Sequence, residues 1–199
     1  GFTLVELLVV IAIIGILAGL LIGPVTDALS SANKTQIISN IRNIARSYNK
    51  TVLLDRNTVS GGDAKAWALN LAEEGGTSKS GTWFALDPPD GLEESVEVAA
   101  AGSNWDNSKV DFGVADGITP TVQNPQFVPV VWTRGITWNS GTSSWTSDLG
   151  DFAVVGFANG DIKDLSEKET NNVFTDPTDP SKKLTSISAV MGKVGGSMK

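Results

Sequence analysis

The stretch Gly1-Phe-Thr-Leu-Val-Glu-Leu-Leu-Val-Val-Ile-Ala-Ile-Ile-Gly-Ile-Leu-Ala-Gly-Leu-Leu-Ile-Gly23 decides how the rest of this chain is read. From Leu4 to Ile22 it consists of Leu, Ile, Val, Ala and Gly, interrupted by one carboxylate, Glu6. About 20 helical residues cover roughly 30 Å of hydrocarbon, so the length suits a membrane span. A charge inside such a segment costs several kcal/mol unless it is paired, and it marks function by default. No cation stands near Glu6 within the segment.

Beyond it come Gly23 and Pro24, a pair expected to weaken or kink a helix. The pattern then turns amphipathic: Val25, Leu29, Ala32, Ile37, Ile41, Ile44, Tyr48 and Val52 recur at helical intervals, with polar residues between them. Unbroken to about Arg56, the helix would run on the order of 80 Å. Gly15, Gly19 and Gly23 fall on one face at a spacing of four. They admit three readings: close helix packing in lipid, the ordinary glycine content of membrane helices, or a segment that unwinds easily ahead of Pro24. A secretory signal peptide fits less well, because the apolar run is too long, no basic residue stands ahead of it, and no small-residue cleavage site follows.

Composition removes whole classes of chemistry. Among 199 residues there is no Cys and no His, so thiolate sites, disulfides and Ser-His-Asp triads are excluded. No motif supports Ser-Lys chemistry, so an enzyme is not expected and no cofactor is implied. Residues 1–56 carry a net +2 and the remainder a net −9, giving the overall −7. An acidic body argues against a nucleic-acid footprint on that part. The excess serves solubility first, and a basic stem joined to an acidic body would also suit packing against copies of itself.

Gly1-Phe2-Thr3-Leu4-Val5-Glu6, followed by the apolar run, resembles the type III signal of type IV pilins and their pseudopilin relatives. The resemblance is close over the first 24 residues and looser over the amphipathic stem. It implies that a prepilin peptidase cuts after Gly1 and that Phe2 is then N-methylated. It also implies that Glu6 pairs with the amino terminus of a neighbouring subunit's Phe2 inside a filament. Gly15, Gly19, Gly23 and Pro24 become the segment for helix packing or unwinding. Pro24 lies one place later than the family's usual helix-breaking proline. If Gly1 remains, the amine that Glu6 meets sits on Gly1 instead.

The expected architecture is α+β: a helix with an apolar half (1–24) and an amphipathic half (25–56), packed on an antiparallel sheet within a β-rich head (57–199). Asp63 to Gly75 reads as a short helix near 63–74, capped by Asp63 and by Gly75 or Gly76. Strands are expected at 82–86, 95–99, 110–114 and 127–138, with Pro129 at an edge or bend. Residues 152–165 read as a hairpin closed by Asn159-Gly160 in a two-residue type I′ turn. That stretch is also similar, more weakly, to a carboxy-terminal hairpin of some bacterial pilin-like proteins. An ordered or partly ordered tail is expected after Leu165.

Asp106, Asn107 and Asp111 are weak calcium candidates, lacking the glycine turn and terminal Glu of a recognised calcium loop; solvated turn residues are the preferred reading. Asp176 and Asp179 are similar in kind. The six Trp residues suit a core or a subunit interface better than a sugar site. Asn33-Lys-Thr35 and Asn49-Lys-Thr51 fit a glycan acceptor pattern, but their place on the stem argues against it.

The family resemblance therefore implies a structural subunit that polymerises into a filament. It would wait in the inner membrane with stem and head outside the cytoplasm, then move to the cell surface. Its partners would be copies of itself, the prepilin peptidase and an ATP-driven assembly platform. The alternatives are a periplasmic pseudopilin of a type II secretion system, towards which the missing cysteines lean slightly, and a membrane-tethered binding module.

Overall fold

The computed structural model describes every residue except Phe2, Glu167 and Glu169. The chain divides into two compact units, 1–36 and 37–199. Helix α1 (Leu4–Tyr48) begins in the first and ends in the second.

In the first unit the helix runs through Gly15, Gly19, Gly23 and Pro24 without a break. Thr26 Oγ1 donates to Gly23 O at 2.7 Å, giving a polar partner to a carbonyl beside the proline. The large apolar side chains here, from Leu4 (79% exposed) to Leu29 (59% exposed), lie open among the described residues. Leu4–Leu54 is long and apolar enough to cross a membrane by length and composition.

In the second unit the stripe expected of an amphipathic helix becomes a buried seam: Ile37, Ile41, Ile44, Ala45 and Tyr48 are fully buried. The α-helix does not continue to Arg56. Asn49–Leu54 forms a π-helical turn, closed by Asp55 N–H donating to Lys50 O at 2.9 Å, and it turns Thr51 and Val52 inward. Helix α2 (Ala64–Glu73) is capped as its sequence predicts. Asp63 accepts from Ala66 N–H, while Gly75 and Gly76 donate to Ala72 O and Leu71 O in a Schellman closure.

The main antiparallel sheet is built from β1 (Phe112–Asp116), β2 (Pro129–Thr133), β5 (Val154–Phe157), β6 (Ile162–Asp164) and β9 (Ser197–Met198). Among the described residues its order is β6-β5-β2-β1-β9, with Val114 opposite Val131 and Trp132 opposite Val155. Pro129 opens β2, where the register shifts, as a residue without an N–H must. Two smaller ladders pair β3 (Thr137–Asn139) with β4 (Ser144–Thr146), and β7 (Phe174–Thr175) with β8 (Lys183–Leu184).

Three expected strand features are corrected. Residues 95–99 belong to helix α3 (Val96–Ala101), whose buried residues Val96, Ala99 and Ala100 follow helical spacing while Val98 stays 54% exposed. Residues 82–86 begin in a short 3-10 turn (Ser80–Thr82), and Trp83 and Phe84 are buried side by side, which no half-buried strand permits. The hairpin at 154–164 forms, but its loop has three residues rather than two. Phe157 N–H donates to Asp161 O and Gly160 N–H to Phe157 O, each at 2.8 Å. Only Gly160 takes a positive φ (86°), whereas a type I′ turn needs Asn159 to do so as well. The tail carries order of its own: helix α4 (Ile187–Val194), capped by Ser186, leads into β9, which closes the sheet on β1.

An aromatic ladder joins these elements. Tyr48 stacks on Trp67 at 5.6 Å, Trp67 meets Trp83 edge-on at 5.8 Å, and Trp83 meets Phe112 at 6.5 Å. Trp67 Nε1 donates to Ala115 O at 2.8 Å, satisfying its buried donor. Trp83 and Trp67 are fully enclosed, and Trp105, Trp132 and Trp145 nearly so, so these five serve the core, while Trp138 is half-buried against it.

Helix α1 meets the sheet at Gly156. A Cβ there would lie 2.8 Å from Val131 Cγ1, 2.9 Å from Ala45 Cβ and 3.0 Å from Ile41 Cγ2. Gly156→Ala is expected to push helix and sheet apart and cost about 2 kcal/mol, a fall in Tm of roughly 4–8 °C. Thermal unfolding of the full chain in detergent, followed by circular dichroism, checks it.

Candidate assembly site

Thr3 and Glu6 stand at the N-cap and N3 positions of α1, and together they form a capping box. Thr3 N–H and Thr3 Oγ1 donate to Glu6 Oε2 at 2.8 and 2.7 Å, while Glu6 N–H donates to Thr3 Oγ1 at 3.3 Å. Among the described residues, Glu6 Oε1 has no hydrogen-bond partner, so it is open to a cation. The box was legible in Thr3-x-x-Glu6, but hydropathy drew the reading to Glu6 alone. Phe2, the expected methylation and pairing residue, lies outside the described residues. Gly1 is exposed. A Cβ at Gly15, Gly19 or Gly23 would meet nothing within 4 Å, so these positions offer a bare helix face.

The calcium candidates are engaged elsewhere. Asp111 is 2% exposed, and its Oδ2 accepts from Ala85 N–H at 2.5 Å and Leu86 N–H at 3.1 Å, tying the loop after Trp83 to β1. Burial pushes its pKa above the ordinary value, against the pull of those two donors and of the Arg134 charge. Asp106 Oδ1 caps the 107–109 turn by accepting from the N–H and hydroxyl of Ser108. Asn107 Oδ1 accepts from Lys65 N–H and Trp105 Nε1, and its amide donates to Asp63 Oδ2. Among the described residues, no group of three or more acidic side chains is placed to hold a metal ion.

Asp176 and Asp179 organise the β7–β8 connection in the same manner. Asp176 accepts from the hydroxyl and N–H of Thr178 at 2.7 and 2.8 Å, and faces Lys193 Nζ at 3.5 Å. Asp179 accepts from the Ser181 hydroxyl at 2.6 Å and pairs with Lys182 at 2.9 Å. The Thr178 hydroxyl holds the Asp176 carboxyl below its ordinary pKa, and the Ser181 hydroxyl draws that of Asp179 down to about 2.

The glycan acceptor patterns meet geometry that opposes them. Asn49 Nδ2 donates to Ala158 O at 3.1 Å and Thr51 is fully buried, while Thr35 Oγ1 is bonded to Ser31 O within the helix.

Comparison with known proteins agrees with the first stretch of the chain. Residues 1–22 match the family described as the prokaryotic N-terminal methylation motif. Two fimbrial proteins of Pseudomonas aeruginosa are each 26% identical to this chain over 143 residues, covering 65% of it and 93% of the relative. No solved structure matches.

Asp111→Ala removes the carboxylate that accepts from the N–H groups of Ala85 and Leu86, and a loss of about 2–4 kcal/mol is expected in calcium-free buffer. Thermal unfolding with and without calcium checks it; a loss seen only with calcium present would instead make Asp111 a metal ligand. Acid is expected to loosen the 173–184 segment. Both carboxyls titrate below their ordinary 3.8 in the folded chain, so their contribution is full above that pH and is lost as pH falls through their lowered folded values, about 2 for Asp179. The indole resonance of Trp145, which meets Phe174 at 5.8 Å and donates to Thr170 O, is the reporter.

Proposed function

We propose that this chain is a type IV pilin-like subunit that polymerises into an extracellular filament through α1, a reading supported by its methylation motif and its similarity to fimbrial proteins. The observation that carries this reading is the conjunction at the N-terminus. A methylation motif leads directly into a helix whose large apolar residues from Leu4 to Leu29 are exposed, with one carboxylate at its start. Water does not tolerate such a helix, so lipid must cover it first and neighbouring helices afterwards.

Glu6 gives the polymer its register. Burying that carboxylate alone is prohibitive, whereas the amino-terminal ammonium of an adjacent subunit compensates it in the same low-dielectric core. A misaligned subunit leaves both charges unpaired. The free Oε1 suits the incoming cation while Oε2 remains with Thr3. Gly15, Gly19 and Gly23, with no side chain of their own, allow close helix approach or local unwinding ahead of Pro24 once subunits pack. The chain's partners are then copies of itself, a prepilin peptidase acting between Gly1 and Phe2, and an assembly machinery at the inner membrane.

The test is electron microscopy of material sheared from the source cells, with mass spectrometry of the subunit. Long filaments built of this chain, with Gly1 removed and Phe2 N-methylated, are the expected result. Glu6→Ala should abolish them while the protein stays in the membrane, since breaking a buried pair costs about 3–5 kcal/mol at every contact. Short assemblies confined to the periplasm would point to a pseudopilin. Full activity of Glu6→Ala would leave only a tethered module.

A further inference from the structure

The end of helix α1 and the π-helical turn after it present a second unpartnered feature, on the side away from the buried seam. Arg42, Arg46 and Lys50 follow one another at intervals of four and are all exposed. Among the described residues none of them forms an ion pair, whereas Lys109, Arg134, Lys182 and Lys193 each do. Leu54, four residues further on, is 69% exposed. The result is a basic stripe ending in an apolar side chain.

The opposite pattern occurs elsewhere in the same unit. Residues 87–97 read Asp-Pro-Pro-Asp-Gly-Leu-Glu-Glu-Ser-Val-Glu, five acids with no base among them. Asp87 is bound to Lys109, and Glu97 to the hydroxyl of Ser95. Asp90, Glu93 and Glu94 are exposed and carry no ion pair among the described residues. Val98 beside them is 54% exposed. The backbone under these acids is fixed. Ser80 N–H donates to Glu94 O at 2.9 Å, Val96 N–H donates to Ser78 O at 2.7 Å, and the Ser80 hydroxyl binds the carbonyl of Glu93. Such a patch loses little freedom on binding. Lys79 and Lys109 flank it without cancelling it.

We propose that Arg42, Arg46 and Lys50 of one copy dock on the acidic segment 90–98 of the next copy, with Leu54 and Val98 as the apolar centre. The inference rests on the polymer reading above and names the head-level contact that accompanies it. The two patches are complementary in sign and in apolar content, and they are different surfaces of the same chain. Their contact is therefore heterologous, and a heterologous contact that does not close into a ring propagates as a helical filament. It also adds specificity that the apolar helices lack, because like charges face each other in any wrong register.

Three full-length variants in the source cells test it: Arg42→Glu with Arg46→Glu, Glu93→Lys with Glu94→Lys, and all four together. Each is compared at equal membrane level by the amount of filament sheared from the surface. Either reversal alone should lower the yield by about tenfold or more, and the combination should restore it to within about threefold of the parent. A reversal that assembles like the parent, or a combination no better than its parts, overturns the proposal. A second measurement is independent of charge. Since the chain has no Cys, Arg46→Cys and Glu94→Cys in one chain provide a unique thiol pair. Treating filaments with a short bis-maleimide should give a ladder of multimers that neither single variant gives, and its absence overturns the contact. If the parent itself makes no filament, the polymer reading falls and takes this proposal with it. A parent that polymerises without the ladder removes this contact alone.

Discussion

The approach of Ile41 and Ala45 to Gly156 fixes the register of α1 on the sheet, and much of the second unit follows from it. With no Cβ in the way, the helix sits directly against β5. Ile37, Ile44 and Tyr48 then fall on the buried side by helical periodicity alone. Tyr48 in turn supplies the flat face on which Trp67 stacks, and through Trp67 and Trp83 the ladder reaches β1. The same rotation leaves Arg42 and Arg46 outside. One glycine therefore bears on both the order of the core and the placement of surface charge.

The N-terminal half of the helix answers to a different solvent. Its large apolar side chains are exposed among the described residues, and Glu6 is held at the first turn by Thr3. A carboxylate at a helix start is favoured by the unpaired N–H groups and the positive end of the helix dipole. The capping box adds two donors, so Glu6 can enter a low-dielectric setting half satisfied rather than bare. Among the described residues no cation pairs with it, and in the polymer reading proposed above a neighbouring subunit brings one.

Features that depend on near neighbours in sequence were legible. The apolar run, the buried stripe of α1, the Asp63 cap and the Gly75-Gly76 stop each rest on contacts within a few residues. The errors arose where tertiary contacts decide. Val96-Glu-Val-Ala alternates like a strand, but burial of Val96, Ala99 and Ala100 requires a helix. Asn159-Gly160 carries the signature of a two-residue turn, yet the pairing of Phe157 with Asp161 leaves three residues between. The closure of β9 on β1 joins Ser197 to Asp116, and no local pattern could reveal a partner that distant. In the site, Glu6 was visible because it broke a hydropathy pattern. Thr3 was not, because a threonine at a helix start is ordinary until its partner is noticed.

The way the C-terminal region is held follows from the absence of cysteine. A cystine would fix that region covalently and at any pH. Here the work falls to β9 on β1, to the Asp176 and Asp179 turns, and to Lys193 reaching back from α4 to Asp176. The strand pair rests on backbone bonds, and the others share a chemistry: a carboxylate accepting from a hydroxyl, an N–H or an ammonium. The acidic surplus of the head is thus partly structural, spent on turns that a positive chain could not make. Asp90, Glu93 and Glu94, exposed and without an ion pair among the described residues, are the acids that the proposed contact with a neighbouring copy uses.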